Sequence, residues 1–128
     1  MADTHETSLY EAVGGMPFFE RLVGRFYEGV AADPVLRPMY PEDDLTQAAH
    51  RLTLFLVQYW GGPATYAEER GHPRLRMRHA AFPIDDDARD RWLSHMRVAI
   101  DELAPPEELR APLLEYLEMA ADSMRNRV

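Results

Sequence analysis

Of the side chains in this sequence able to bind a metal or move a proton, one histidine stands in a setting unlike the others. His79 closes the string Arg74-Leu75-Arg76-Met77-Arg78-His79. In a helix, Leu75 and His79 are four residues apart and share a face, so the imidazole lies on the apolar side. The alternation of the string also permits a short strand. A lone strand in a helical chain would leave its edge unpaired, so the helix is preferred. An imidazole placed this way either packs as a hydrogen-bonded core residue or ligates a metal. Zinc wants three or four ligands. His72 is seven residues away, and His50 and His95 belong to other segments, so no third ligand emerges. There is no H-E-x-x-H helix and no serine in a G-x-S-x-G turn. The absence of cysteine excludes thiol nucleophiles, disulfides, iron–sulfur clusters and covalent C-x-x-C-H haem attachment. All 14 basic residues are arginine, which excludes Schiff-base and P-loop lysines.

Haem escapes the ligand count, because the porphyrin supplies four nitrogens and the protein need add only one neutral imidazole. What remains is an apolar slot, with polar groups on its far side to act on a bound diatomic molecule. Three polar aromatics suit that role. Tyr27 lies in an apolar helical stripe, where its hydroxyl needs a partner, Tyr40 sits in a proline-fixed corner, and Trp92 brings an indole donor. Taken alone, each is better read as a plain core aromatic, and spacing does not show that they converge.

The elements that must position these residues read as helices. Ser8 and Glu11 have capping-box spacing, and Gly14-Gly15 closes the short helix between. Pro17 suits the first turn of a second helix, whose stripe is Phe18, Phe19, Leu22, Val23, Phe26, Tyr27 and Val30. Asp33-Pro34 ends it, and Pro38-Met39-Tyr40-Pro41 cannot form a regular helix, since two of its residues lack an amide donor. Asp43 or Asp44 caps a third helix striped by Leu45, Ala48, Ala49, Leu52, Phe55, Leu56, Tyr59 and Trp60, which stops at Gly61-Gly62-Pro63. After a less regular stretch, Asp85, Asp86 and Asp87 open a fourth helix, where the macrodipole favours negative charge. It carries Trp92, Met96, Ala99, Ile100 and Leu103, and Pro105-Pro106 separates it from a fifth with Leu109, Leu113, Tyr116, Leu117, Ala120 and Met124. The fold class is all-α.

With 128 residues, 46% of them hydrophobic and 28% charged, the chain fits one globular domain that buries a full core. A net charge of −8 argues against nucleic acid and anionic membranes as partners. Apolar runs of only a few residues leave no membrane-spanning segment or signal peptide, which makes the expected location cytoplasmic.

Over residues 8–126 the sequence resembles the truncated haemoglobins, specifically group II. The matching pieces are Tyr10-Glu11-Ala12-Val13-Gly14-Gly15, Arg25-Phe26-Tyr27 and Met39-Tyr40-Pro41-Glu42-Asp43-Asp44-Leu45. They continue with Gln58-Tyr59-Trp60-Gly61-Gly62-Pro63, then Gly71-His72-Pro73 running into the string that ends at His79, and Trp92. One departure is visible: the group commonly has R-H-x-P-F after the ligand, whereas this chain has Arg78-His79-Ala80-Ala81-Phe82-Pro83, with the proline behind the phenylalanine.

The resemblance implies a truncated globin domain over 8–128, after a disordered tail at 1–7, built as a two-over-two helical sandwich around one haem b (iron protoporphyrin IX). His79 matches the iron ligand. Tyr27, Tyr40 and Trp92 match the polar residues on the ligand side, Ala48 takes the place of the distal histidine of many haemoglobins, and Leu52 lies one turn later over the haem. Phe82, Leu75, Met77, Phe55 and Met96 are expected as apolar wall, and Arg51 and Arg78 as partners of the haem propionates, because an arginine fork pairs carboxylates well. The implied ligands are O₂, NO and CO. Donors aimed at O₂ favour slow release and suit a reactor or sensor better than a carrier, with an external reductase and NO dioxygenase-like or peroxidase-like chemistry in view. The protein would be a monomer or homodimer. Two other readings compete. A peroxidase-like enzyme on the same haem would lack a His or Arg at Ala48 to pull on an O–O bond, and a cofactor-free helical interaction module gives no reason for the alignment of His79 with Leu75.

Overall fold

The computed structural model describes residues 8–41 and 43–127. The expected tail at 1–7, Glu42 of the Met39–Leu45 string and Val128 lie outside the described residues. The chain forms seven α-helices among the described residues: α1 Leu9–Ala12, α2 Met16–Ala31, α3 Thr46–Tyr59, α4 Thr65–Arg70, α5 Leu75–His79, α6 Asp86–Leu103 and α7 Glu107–Met124. A 3-10 turn over Arg37–Met39 leads to Tyr40, and no strand occurs among these residues. Four long helices form two layers. Helix α2 packs on α3 and α6, α6 packs on α7, and the short α4 and α5 rest on α3 and α7 respectively.

Local chemistry accounts for the boundaries. The Glu11 amide donates to Ser8 Oγ (3.1 Å) and the Ser8 amide to Glu11 Oε1 (3.3 Å), the reciprocal bonds of a capping box. Gly14 and Gly15, at φ +103° and +79°, then turn the chain through backbone space that a Cβ disfavours. All seven residues of the expected α2 stripe are buried, and Phe19, Leu22, Phe26 and Val30 exclude water completely. Full burial of side chains of this size stabilises by roughly 1.5–3 kcal/mol each, which makes α2 the spine of the core. At the start of α6, Asp85 Oδ1 accepts from the Ala88 amide at 2.9 Å, and Asp86 and Asp87 occupy the first turn.

Helix α3 differs from expectation at both ends. Its N-cap position is Leu45, and Asp44 accepts from the Thr46 amide (2.9 Å) in an Asx-type turn one residue early, while Asp43 makes no side-chain cap. Tyr59, expected on the inner stripe, is 48% exposed. Thr53, Leu54 and Val57 are buried instead, because α3 turns two sides inward, one toward the core and one, bearing Leu52 and Phe55, toward an open cleft.

A buried charge joins the end of α2 to α6. Asp33 Oδ1 accepts from the amides of Val35 (2.8 Å) and Leu36 (3.1 Å) and from Arg91 Nη1 (3.1 Å). Its Oδ2 accepts from His95 Nε2 (2.8 Å). Burial alone would raise the Asp33 carboxyl. The hydrogen bonds from His95 and the two amides, with the Arg91 charge, outweigh it and hold the pKa at about 2. Gly29 is required beside this cluster, since a Cβ there would collide with the His95 ring. The cluster ties the segment leading to Tyr40 onto the helix that carries Trp92.

Candidate functional site

Between α3, α5, α6 and α7 lies a cleft of about 340 Å³ with mostly apolar walls, within the size range of small-molecule and cofactor sites. His79 lines one wall beside Leu75. Its Nδ1 lies 2.6 Å from the Leu75 carbonyl oxygen, one helical turn back. A carbonyl can only accept, so Nδ1 carries a proton and donates, which leaves Nε2 as the ring nitrogen available to a ligand. Metal-bound histidines are commonly oriented by such a bond on the other nitrogen. The remaining described histidines are engaged elsewhere: His50 with Glu69 (3.1 Å), His95 with Asp33, and His72 Nδ1 with the Arg74 amide (3.1 Å). No group of three or more His, Asp or Glu side chains among the described residues could cage a metal ion.

Tyr27, Tyr40, Ala48, Leu52 and Trp92 line the same cleft as His79, so the three polar aromatics do converge. Tyr27 and Tyr40 meet edge to face, with ring centroids 5.5 Å apart at 84°. Phe26 bridges the rest, 4.9 Å from Tyr27 and 5.2 Å from Trp92, so α2 sets the spacing of the other two. Tyr40 is held by its backbone. Arg37 Nη1 donates to the Tyr40 carbonyl (3.0 Å) and Nη2 to that of Asp43 (2.8 Å), while Pro41 keeps Tyr40 extended. Sequence reading missed Arg37, whose task depends on where two carbonyls fall in a loop.

Most of the other expected wall is present. Leu75, Phe82 and Phe55 line the cleft, and Arg51 and Arg78 lie at it too. Arg78 also does a local task, donating from Nε to the Pro73 carbonyl (2.7 Å) and from Nη2 to that of Arg70 (3.2 Å). Two expectations are corrected. Met77 is 62% exposed and points away from the cleft, since two residues along a helix from Leu75 is nearly the opposite face. Met96 is fully buried in the central core and is not on the cleft wall, because one turn beyond Trp92 the inner face of α6 is covered by the core.

Several wall residues escaped sequence reading, among them Met39, Tyr66, Ile84, Tyr116, Ala120 and Met124. They come from four parts of the chain, three of them from α7, and only the packing brings them together. Tyr116 stacks on Tyr59 at 3.8 Å, and burial, with Tyr59 beside it, pushes its hydroxyl up to about 12, so it faces the cleft as a neutral phenol.

The donor set fits a haem: one imidazole with its Nε2 available, apolar flanks, three polar aromatics lining the same cleft, and two arginines, Arg51 and Arg78, among its lining. No helix among the described residues is long and apolar enough to cross a membrane.

Comparison with known proteins agrees. A family model described as bacterial-like globin matches residues 8–126. The group 2 truncated haemoglobin YjbI of Bacillus subtilis is 46% identical over 118 residues, covering 92% of this chain and 88% of that protein. The X-ray structure of a thermostable haemoglobin from the actinobacterium Thermobifida fusca matches with a TM-score of 0.92 at 64% identity, over 94% of this chain and 98% of that one. The X-ray structure of a truncated oxygen-avid haemoglobin from Bacillus subtilis matches with a TM-score of 0.88 at 45% identity, over 94% and 100%.

Proposed function

Because the chain belongs to the bacterial-like globin family, as a two-on-two haemoglobin of group II with haem as its cofactor, we propose that His79 ligates the iron and that Tyr27, Tyr40 and Trp92 hold a diatomic ligand by hydrogen bonds. When bound, haem supplies an iron with one position open to O₂, NO or CO and shifts electron density onto that ligand. The observation that carries the proposal is the pairing of a histidine with a committed Nδ1 and three polar aromatics in one cleft.

The chain's own residues do the rest. Leu75 fixes the tautomer and plane of His79 through the bond to Nδ1. Leu52, Phe55 and Phe82 line the cleft and would give a bound haem apolar surroundings that exclude water, which strengthens every polar contact inside. Ala48 presents only a methyl group to the cleft, so it would neither donate a hydrogen bond to a bound ligand nor fill much of the space beside it. The two phenols and the indole then decide how long a ligand stays. A hydrogen bond to a charged group contributes about 1.5–3 kcal/mol, and each 1.4 kcal/mol is tenfold, so two or three such donors slow O₂ release greatly. Tight, slow binding would suit a reactor or sensor for O₂ or NO better than a carrier. The Bacillus subtilis relative described as oxygen-avid supports this reading. Arg51 and Arg78 are assigned to the propionates.

Absorption spectra of the purified protein in its ferric, ferrous and CO forms test the proposal. The expected result is one equivalent of haem with an axial-imidazole spectrum. A colourless protein that takes up no added haem would favour a cofactor-free interaction module and overturn it.

A further inference from the structure

Resting on the assignment of His79 as iron ligand, we infer that Asn126, near the end of the chain, is a positioning residue for that histidine. Helix α5 is five residues long, too short to hold its own shape or direction. The imidazole is bonded to the carbonyl of Leu75 in the same helix, so whatever tilts α5 tilts the ring. Beyond His79, Ala80 and Ala81 are exposed and offer no side-chain anchor. The carbonyl of His79 is one of the orphan acceptors of a helix C-terminus. It accepts from the Phe82 amide (3.0 Å) and from Asn126 Nδ2 (3.2 Å).

The same side chain makes a second bond. Asn126 Oδ1 accepts from the Ile84 amide at 2.9 Å. The orientation of the amide follows from its partners: a carbonyl can only accept, so the NH₂ faces His79, and an N–H can only donate, so the oxygen faces Ile84. Main-chain bonds from Asn126 and Arg127 to the Ile84 carbonyl (2.8 and 3.1 Å) fix the backbone on which the amide sits. One side chain therefore clasps both ends of the segment 79–84, while Arg78 anchors the other end of α5 to the carbonyls of Pro73 and Arg70. Asparagine is suited to this, because it carries a donor and an acceptor on one short planar group.

The test uses the haem-loaded protein. Resonance Raman of its ferrous, ligand-free form reads the iron–imidazole stretch, and transfer to an excess of an acceptor apoglobin reads haem loss. In Asn126→Ala the stretch should shift or broaden and haem loss should quicken about fivefold, the worth of a hydrogen bond or so. Asn126→Asp keeps the acceptor for Ile84 and loses the donor to His79, so it should shift the stretch as well. A merely structural role would lower the melting temperature and leave the stretch in place. If both variants keep the parent stretch, the inference is wrong, whatever the rate at which they lose haem. His79→Gly separates the two levels: a parent stretch that survives this substitution overturns the ligand assignment, and the role of Asn126 with it.

Discussion

A His79→Gly protein should keep its helices and lose its grip on haem. The substitution removes the only imidazole that lines the cleft among the described residues. Its structural cost is small, because a glycine at the end of a short helix costs about 1 kcal/mol or less. The effect on haem is much larger. Changes that only disturb the partners of a metal ligand cost 10–100-fold in affinity, so removal of the ligand itself should exceed about 100-fold. The ferrous spectrum should lose its axial-imidazole character. Added imidazole should restore it by filling the gap the side chain leaves, a rescue that a misfolded protein would not show. Far-UV circular dichroism and a haem titration check both halves.

The second large effect concerns stability. Asp33→Ala should destabilise the fold by about 3 kcal/mol, since it removes four hydrogen bonds, one of them from the cationic Arg91, at a buried position. Asp33→Asn keeps the shape and the two amide bonds and should cost about 2 kcal/mol. The pH dependence has a definite sign. The Asp33 carboxyl titrates at about 2 in the fold against 3.8 ordinarily, so its contribution is complete above pH 3.8. It falls as the pH drops through about 2, for a total of roughly 2 kcal/mol. Urea unfolding of the parent between pH 5 and 2 should show this loss, and Asp33→Asn should flatten it. Because the cluster links the segment before Tyr40 to the helix bearing Trp92, both substitutions should also loosen the ligand side.

The path from sequence to site was short where periodicity was strong. Every residue of the Phe18–Val30 stripe is buried, since a helix with one broad apolar face has one way to hide it. The capping box at Ser8, the acidic start of α6 and the His79–Leu75 face were legible for the same reason, each being settled within one or two turns. Helix α3 was read less well, because the eight-residue stripe assumed a single inner face, whereas this helix serves the core and the cleft at once. Met77, implied as wall by the family resemblance, lies on nearly the opposite face of α5 from Leu75 and is exposed. Arg37 and Asn126 left no signal at all. Each bonds backbone groups set by the packing of distant segments, and nothing in the types or spacing of their neighbours marks them.

Release of O₂ from the haem-loaded parent, followed by stopped flow beside Trp92→Phe and Tyr40→Phe, bears most directly on the central claim that these aromatics act on the ligand opposite His79. Tyr40→Phe removes the hydroxyl and keeps the ring that meets Tyr27, and Trp92→Phe removes the indole donor and keeps a six-membered aromatic ring beside Phe26. The expected result is slow release from the parent and release faster by about tenfold or more in at least one variant, with further acceleration in the double variant. Rates unchanged in both single variants and in the double variant would contradict the claim.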